Sequence, residues 1–246
     1  MSDIAPSSEQ NKLAEIASAE ASKHEPRVGT KPFGSEWGTD YWGKWQTISY
    51  ALYRLGIAKG ATVLDVGMGV GWTTVFLAES GFRPTGIDIA PASAAIARDR
   101  AARYSAEIET VAADMDDFDL NRTFDAALVF DALHHSIRPA DVVARVANHI
   151  APGGWVLFGE PSWLHSISPH ARRTSRDEGW VERGVRVRHL KRYCEAAGLS
   201  GFRRFYEGTQ PHSGRALDFG YQAGRVLAAR AASSPKMSVW LAARRS

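Results

Sequence analysis

Between residues 61 and 160 two hydrophobic periods alternate along the chain. Short apolar runs predict strands at 62–66, 83–88, 107–112, 124–130 and 154–159, and apolar positions recurring every three to four residues predict helices near 72–80, 91–103 and 139–150. Alternation on this scale predicts an α/β fold, a parallel doubly wound sheet with helices on both faces. Residues 162–186 are rich in Ser, His and Arg and show no clear apolar period. Beyond them the pattern predicts a helix at 187–197 ended by Gly198, a strand at 201–207, a helix near 215–231 and a last strand at 237–243. Upstream, residues 1–30 are polar and rich in Ala, Ser and Glu, which predicts a mobile segment with a loose helix around Glu9–Ser22. Then comes an aromatic stretch, Phe33, Trp37, Tyr41, Trp42 and Trp45, running into a helix to about Leu55. Core packing explains such a stripe, and a lid over a ligand is its other use. With no internal repeat and no second domain, the chain reads as a mobile 1–30 and a single domain over 31–246.

The first strand runs into a glycine turn: Val63-Leu64-Asp65-Val66-Gly67-Met68-Gly69-Val70-Gly71-Trp72. Glycines let the backbone turn sharply and let a ligand approach the main chain. Asp88 ends the next strand, 23 residues after Asp65, where a carboxylate can accept both hydroxyls of a ribose. A dinucleotide fingerprint would need a third glycine to pack helix on strand; counted from Gly67 that position is Trp72, and counted from Gly69 it is Thr74. Asp65 just before the turn would repel a pyrophosphate and attract an ammonium or sulfonium. Asp65, Asp88, Asp114, Asp131 and Glu160 all fall at or just beyond predicted strand ends, where open α/β sheets bind ligands.

The Asp-x-Gly-x-Gly-x-Gly pattern at Asp65–Gly71 resembles motif I of class I S-adenosylmethionine (SAM) methyltransferases. The resemblance extends to about Pro161, with Asp88 at the ribose-binding acid, Ala113-Asp114-Met115 at the segment framing adenine and Ala151-Pro152-Gly153-Gly154 at the turn before the fifth strand. It implies a Rossmann-like, seven-stranded sheet, mostly parallel with an antiparallel edge strand, and SAM as cofactor. It further implies that Asp65 and the glycine turn, Gly67, Gly69 and Gly71, hold the methionine part, Trp72 and Asp131 belong to the cofactor site, Asp88 binds ribose, Ile89 packs on adenine, and Asp114 and Met115 hold the adenine amino group and ring face. Trp37 or Tyr41 would serve as lid within a helical segment at 31–60, and an insert at 161–190 would shape the acceptor side.

After the fourth strand stands Phe130-Asp131-Ala132-Leu133-His134-His135-Ser136. It resembles the Leu-His-His variant of small-molecule methyltransferases, and lacks the Pro-Pro-aromatic and Pro-Cys motifs of base-methylating enzymes. The expected activity is methyl transfer to a small-molecule or sugar-containing acceptor, at a hydroxyl oxygen. An alcohol needs a base, and His134, His135 and Glu160 are the catalytic candidates, with weaker claims for His165 and His170. Methylation at nitrogen and a non-catalytic SAM-binding regulator are the alternatives. Asp131 and Glu160 offer oxygen ligands for Mg²⁺, but no Asp-Asn pair follows the fifth strand and no Cys/His spacing suggests zinc, so no metal is expected.

Composition adds limits. The 246 residues are 44% hydrophobic, enough for one sizeable core. No apolar run approaches the roughly 20 residues of a membrane span, and the polar N-terminus has no signal-peptide core, so a cytoplasmic protein is expected. The single Cys194 excludes an internal disulfide. Charge is uneven: residues 1–164 carry 14 Lys+Arg and 21 Asp+Glu, and residues 165–246 carry 16 and 6. The densest basic cluster, Arg172, Arg173, Arg176, Arg183, Arg186, Arg188, Lys191 and Arg192, suits a solvated face or an anionic acceptor. No RNA-binding module is recognisable, so a nucleic-acid partner is not expected; a homodimer is left open.

Overall fold

The computed structural model describes residues 8–24, 30–32, 40–207 and 238–246. Its elements are α1 (Ser8–Ser22), α2 (Asp40–Leu55), β1 (Thr62–Val66), α3 (Trp72–Glu79), β2 (Arg83–Asp88), α4 (Pro91–Tyr104), β3 (Glu109–Ala112), β4 (Phe124–Phe130), a 3₁₀ turn (Leu133–His135), α5 (Pro139–Asn148), β5 (Ile150–Pro161), a second 3₁₀ turn (Trp163–Ile167), α6 (Pro169–Asp177), α7 (Val187–Ala196), β6 (Leu199–Phe205) and β7 (Ser238–Arg245). Seven strands form one sheet in the order β3-β2-β1-β4-β5-β7-β6. The first five are mutually parallel, and β7 runs antiparallel between β5 and β6. The helix expected near 215–231 lies outside the described residues, as do Phe33 and Trp37.

Alternation along the strands builds a core on each face. In β4, Ala126, Leu128 and Phe130 pack against α2 and α3 with Ile48, Leu52, Phe76 and Leu77. Ala127 and Val129 face the other way, onto α5 and α7, with Val142, Val146, Leu190 and Cys194. Burial pushes the Cys194 thiol up to about 12, which makes it an inert packing group. β3 is the shortest strand and is partly exposed along its length, which is why its apolar signal is faint. β5 begins at Ile150, before the expected turn at 151–154; its register on β4 shifts between Phe124 and Ala126, so those residues form an irregularity inside the strand.

The sheet's order reverses at β1, between β2 and β4. Ligands of open α/β sheets bind beyond the carboxyl ends of the strands at such a point. The N-terminal stretch corrects an expectation here. Ser8–Ser22 form not a loose helix but one docked on the body: Asn11 is 5% exposed, and Lys12 is ion-paired with Asp114. Among the described residues no helix is long and apolar enough to cross a membrane.

Candidate active site

In β1, Asp65 shares the face of Val63 and turns toward α3. Its Oδ2 accepts hydrogen bonds from the hydroxyls of Thr73 (2.6 Å) and Thr74 (2.7 Å). Burial pushes its pKa up to about 6, against those two hydroxyls. Asp65 therefore ties α3 to β1. It is not on the wall of the cleft, contrary to the expectation that its side chain meets the methionine part of SAM.

The turn that follows places Gly67, Gly69 and Gly71 at φ 70°, 51° and 73°, the left-handed region. A Cβ at Gly71 would sit 2.4 Å from Ala97 Cβ, so this glycine lets the turn press against α4. A Cβ at Gly69 would meet nothing within 4 Å, because that backbone faces the cleft. The Gly69 N–H donates to Asp88 Oδ2 (2.9 Å) and the Ala90 N–H to Asp88 Oδ1 (3.0 Å). Burial raises the pKa of Asp88 while these two donors work in the other direction.

The cleft spans about 890 Å³, part of it open to solvent. Gly67, Gly69, Trp72, Asp88, Ile89, Asp114, Met115 and Asp131, all named from the sequence, stand on its wall. Tyr41 does not: it packs edge-on against Trp72 with ring centroids 5.8 Å apart, under the ammonium groups of Lys31 and Lys44. The wall is completed by α1 instead, through Asn11, Lys12 and Glu15. Lys12 pairs with Asp114, whose other oxygen accepts from the Asp116 N–H at 2.8 Å. Burial pushes Glu15 up to about 8; the charges of Asp88, Asp114 and Asp116 add to the shift and a hydrogen bond from Asn11 opposes it. At Asp131, burial opposes ionisation but the nearby cations, Lys44 foremost (3.8 Å), hold the carboxyl well below its usual range.

The three catalytic candidates separate. Glu160 shares the face of Phe158 and is fully buried. Its carboxylate accepts the backbone N–H groups of Ala132, Leu133 and His134 and the Nδ1–H of His134 (2.9 Å). It organises the histidine turn and is not on the cleft wall, so the structure does not support Glu160 as a base toward the acceptor. His134 lies behind the wall, 5% exposed. Burial works against its charged form, but Glu160, Asp131 and Glu182 outweigh that and raise its pKa. His135 is on the wall, and burial together with neighbouring His134 pushes its pKa down to about 4.

Sequence reasoning missed Glu182. Its Oε2 accepts from His165 Nε2 at 2.6 Å and lies 3.6 Å from His134 Nε2. It also missed Asn11, whose amide donates to the His135 carbonyl (3.1 Å) and accepts from the Val181 N–H (2.6 Å), stapling the histidine turn to the segment before α7. His170 is on α6, and its side chain lies outside the described residues.

Comparison with known proteins agrees with this geometry. Residues 63–154 match the family "Methyltransferase domain". A ubiquinone biosynthesis O-methyltransferase from Bordetella avium is 33% identical over 105 residues, which are 42% of this chain and 44% of that protein; the chain thus matches less than half of that relative's length. Magnesium protoporphyrin IX methyltransferase from Synechocystis PCC 6803, solved with S-adenosylhomocysteine, superposes with a TM-score of 0.67 at 16% identity, covering 96% of this chain and 100% of that one. N-methyltransferase NodS from Bradyrhizobium japonicum WM9, also solved with S-adenosylhomocysteine, gives 0.59 at 19% identity, covering 96% and 98%. Residues 63–154 thus match the methyltransferase-domain family, and nearly the whole chain shares the fold of solved methyltransferases.

Proposed function

We propose that the protein transfers a methyl group from SAM to a small-molecule acceptor at a hydroxyl oxygen. The observation that carries the cofactor reading is the pairing of Asp88 with the open backbone at Gly69. A carboxylate is fixed at both oxygens by N–H groups on the wall of a cleft that has room beside the glycine. The residues present fit SAM. Asp88 would hold the ribose hydroxyls, Ile89 and Met115 the adenine faces and Asp114 the adenine amino group, while charged Asp131 would attract the methionine ammonium. SAM supplies a methyl group already activated on a sulfonium, and S-adenosylhomocysteine remains after its transfer.

The chain's own task is placement. Holding the reacting atoms in line can supply roughly 7–11 kcal/mol of the barrier in well-oriented systems. We assign the acceptor hydroxyl to the end of the cleft at His135. This imidazole is neutral near pH 7 and is joined there by Glu182, which also faces the adjoining opening. Arg172, Arg173 and Arg176 are exposed on α6, the helix whose Thr174 lines the adjoining opening, which favours an anionic acceptor.

The test is a calorimetric titration with SAM, S-adenosylhomocysteine and NADH, on the wild type and on Asp88→Ala. The expected result is micromolar binding of the first two, none of NADH, and at least a tenfold weaker affinity for SAM in the variant, about 1.4 kcal/mol. Unchanged affinity in a folded Asp88→Ala protein overturns the cofactor assignment. A panel of hydroxylated and amine acceptors, read by methyl position in the product, decides oxygen against nitrogen.

A further inference from the structure

Two segments far apart in sequence bring nitrogen and carboxylate donors together at the acceptor end of the cleft. His134 Nε2 lies 3.6 Å from Glu182 Oε2, and His135 Nδ1 lies 3.9 Å from Glu182 Oε1. One donor atom from each of the three residues falls within 4.8 Å of the others. These two separations exceed a hydrogen bond. Donor atoms around a tetrahedral ion, with metal–nitrogen and metal–oxygen bonds of about 2.0–2.2 Å, lie roughly 3.3 Å apart. These two gaps are thus about 0.3 and 0.6 Å wider than an ion requires.

We propose that His134, His135 and Glu182 bind a divalent transition-metal ion of the zinc class. The surrounding hydrogen bonds support this independently. Metal-bound imidazoles commonly give their other N–H to a carboxylate, and bound carboxylates are held in turn by their own partners. His134 gives its Nδ1–H to Glu160 at 2.9 Å, which aims the Nε2 lone pair at Glu182. Glu182 is held by His165, whose Nε2 lies 2.6 Å from the same Oε2 that faces His134. His135 Nδ1 also lies 3.2 Å from the Val181 carbonyl, a contact that binding an ion through Nδ1 would replace. Two imidazoles and one carboxylate suit zinc, iron or cobalt better than Mg²⁺, which favours an all-oxygen shell.

Both His134 and Glu182 are nearly buried, with side chains 5% and 8% exposed, so this is not a casual surface cluster. His135 and Glu182 also face the opening that adjoins the cofactor cleft. Three protein ligands leave one position of a tetrahedral ion for an incoming oxygen. There the ion would bind the acceptor hydroxyl and lower its pKa. The acceptor would lose its O–H proton to solvent, and its oxygen would form the new bond to the methyl carbon as the methyl–sulfur bond breaks, its electron pair staying on the sulfur of S-adenosylhomocysteine. This role rests on the methyl-transfer reading; the binding of the ion does not.

The experiment uses the full chain, freed of metal by dialysis against a chelator. It is titrated with Co²⁺ and followed by the visible absorption of the bound ion, with Zn²⁺ added as competitor. One Co²⁺ per chain, displaced by Zn²⁺, is expected. Glu182→Gln and His134→Gln should each weaken binding by tenfold or more, and Glu160→Gln, which alters the outer partner of His134 and the anchor of its turn, by about 10–100-fold. S-adenosylhomocysteine affinity of the same variants, with their circular dichroism, reports whether each still folds. No saturable binding to the wild type, or undiminished binding to folded Glu182→Gln, overturns the proposal. Metal binding without S-adenosylhomocysteine binding would instead overturn the cofactor reading and leave the metal site standing.

Discussion

Asp65 and Asp88 end neighbouring strands and do different work. Asp88 is held toward the cleft by two backbone N–H groups, while Asp65 is turned into the helix layer by the two-residue period of its strand. Asp65 is therefore a stability residue with a defined pH signature. Its folded pKa, about 6, stands above the ordinary 3.8. The native state thus holds its proton more tightly than the unfolded chain, and stability falls as pH rises between the two values. The expected outcome is that the unfolding free energy of wild type, measured against Asp65→Asn, declines by about 2 kcal/mol from pH 4 to pH 7 in urea titrations. A difference that stays flat with pH would show that the buried carboxylate is not the cause. The residue types at the strand ends were legible in the sequence; their facing was not. Strands of a parallel sheet are covered on both sides, so alternation alone cannot say which side meets the ligand. Glu160 looked like a base for the same reason, and its partners at Ala132 to His134 are fixed only by the fold. Glu182 gave no signal, being one acid in an arginine-rich stretch without period.

The strands and central helices were read to within a few residues, because each carries its own period and its own glycine or proline boundary. α1 was not, since its order comes from tertiary contacts. Its sequence is polar, and what fixes it is Asn11 between His135 and Val181, Lys12 on Asp114, and Glu15 against the cleft. Glu15 makes that docking sensitive to pH. Burial and the charges of Asp88, Asp114 and Asp116 raise its pKa from 4.5 to about 8 in the docked helix, although Lys12 stands nearby on the same element. A group whose pKa is raised on docking favours the docked form fully below its free value and loses that contribution as pH climbs through the docked value. Limited proteolysis of residues 8–22 should therefore accelerate in wild type, relative to Glu15→Gln, as pH rises from 6 to 9, and the two should converge near pH 4. Equal cleavage at every pH would mean that Glu15 does not govern docking. Because α1 covers the cleft wall beside Asp88 and Asp114, the same substitution should alter SAM affinity most at the alkaline end.

Across the molecule, the two ends of the described chain meet at one functional region. α1 covers the cleft, and β7 supplies the support beneath it. Alternating strands and helices predicted the sheet up to β5, but placing β7 between β5 and β6 needs a long-range pairing that no local pattern encodes. The centre of that support is Trp240, fully buried and stacked on Phe130 with centroids 5.6 Å apart. Opposite it is Gly159, where a Cβ would fall 2.3 Å from the indole ring, so the glycine makes the space that the tryptophan fills. Phe130 in turn meets Trp72 edge-on at 5.6 Å, and Trp72 forms part of the cleft wall. Removing the indole leaves a cavity under this aromatic line, since the surrounding strands are bonded to one another and collapse only partly. Trp240→Ala should cost about 3–5 kcal/mol in urea unfolding and weaken SAM binding although the residue does not touch the cleft. Gly159→Ala should destabilise as well, by overpacking rather than by a void. If Trp240→Ala unfolds within about 1 kcal/mol of wild type, β7 is not the brace of the cleft, and the line from Trp240 through Phe130 to Trp72 carries no support to the wall.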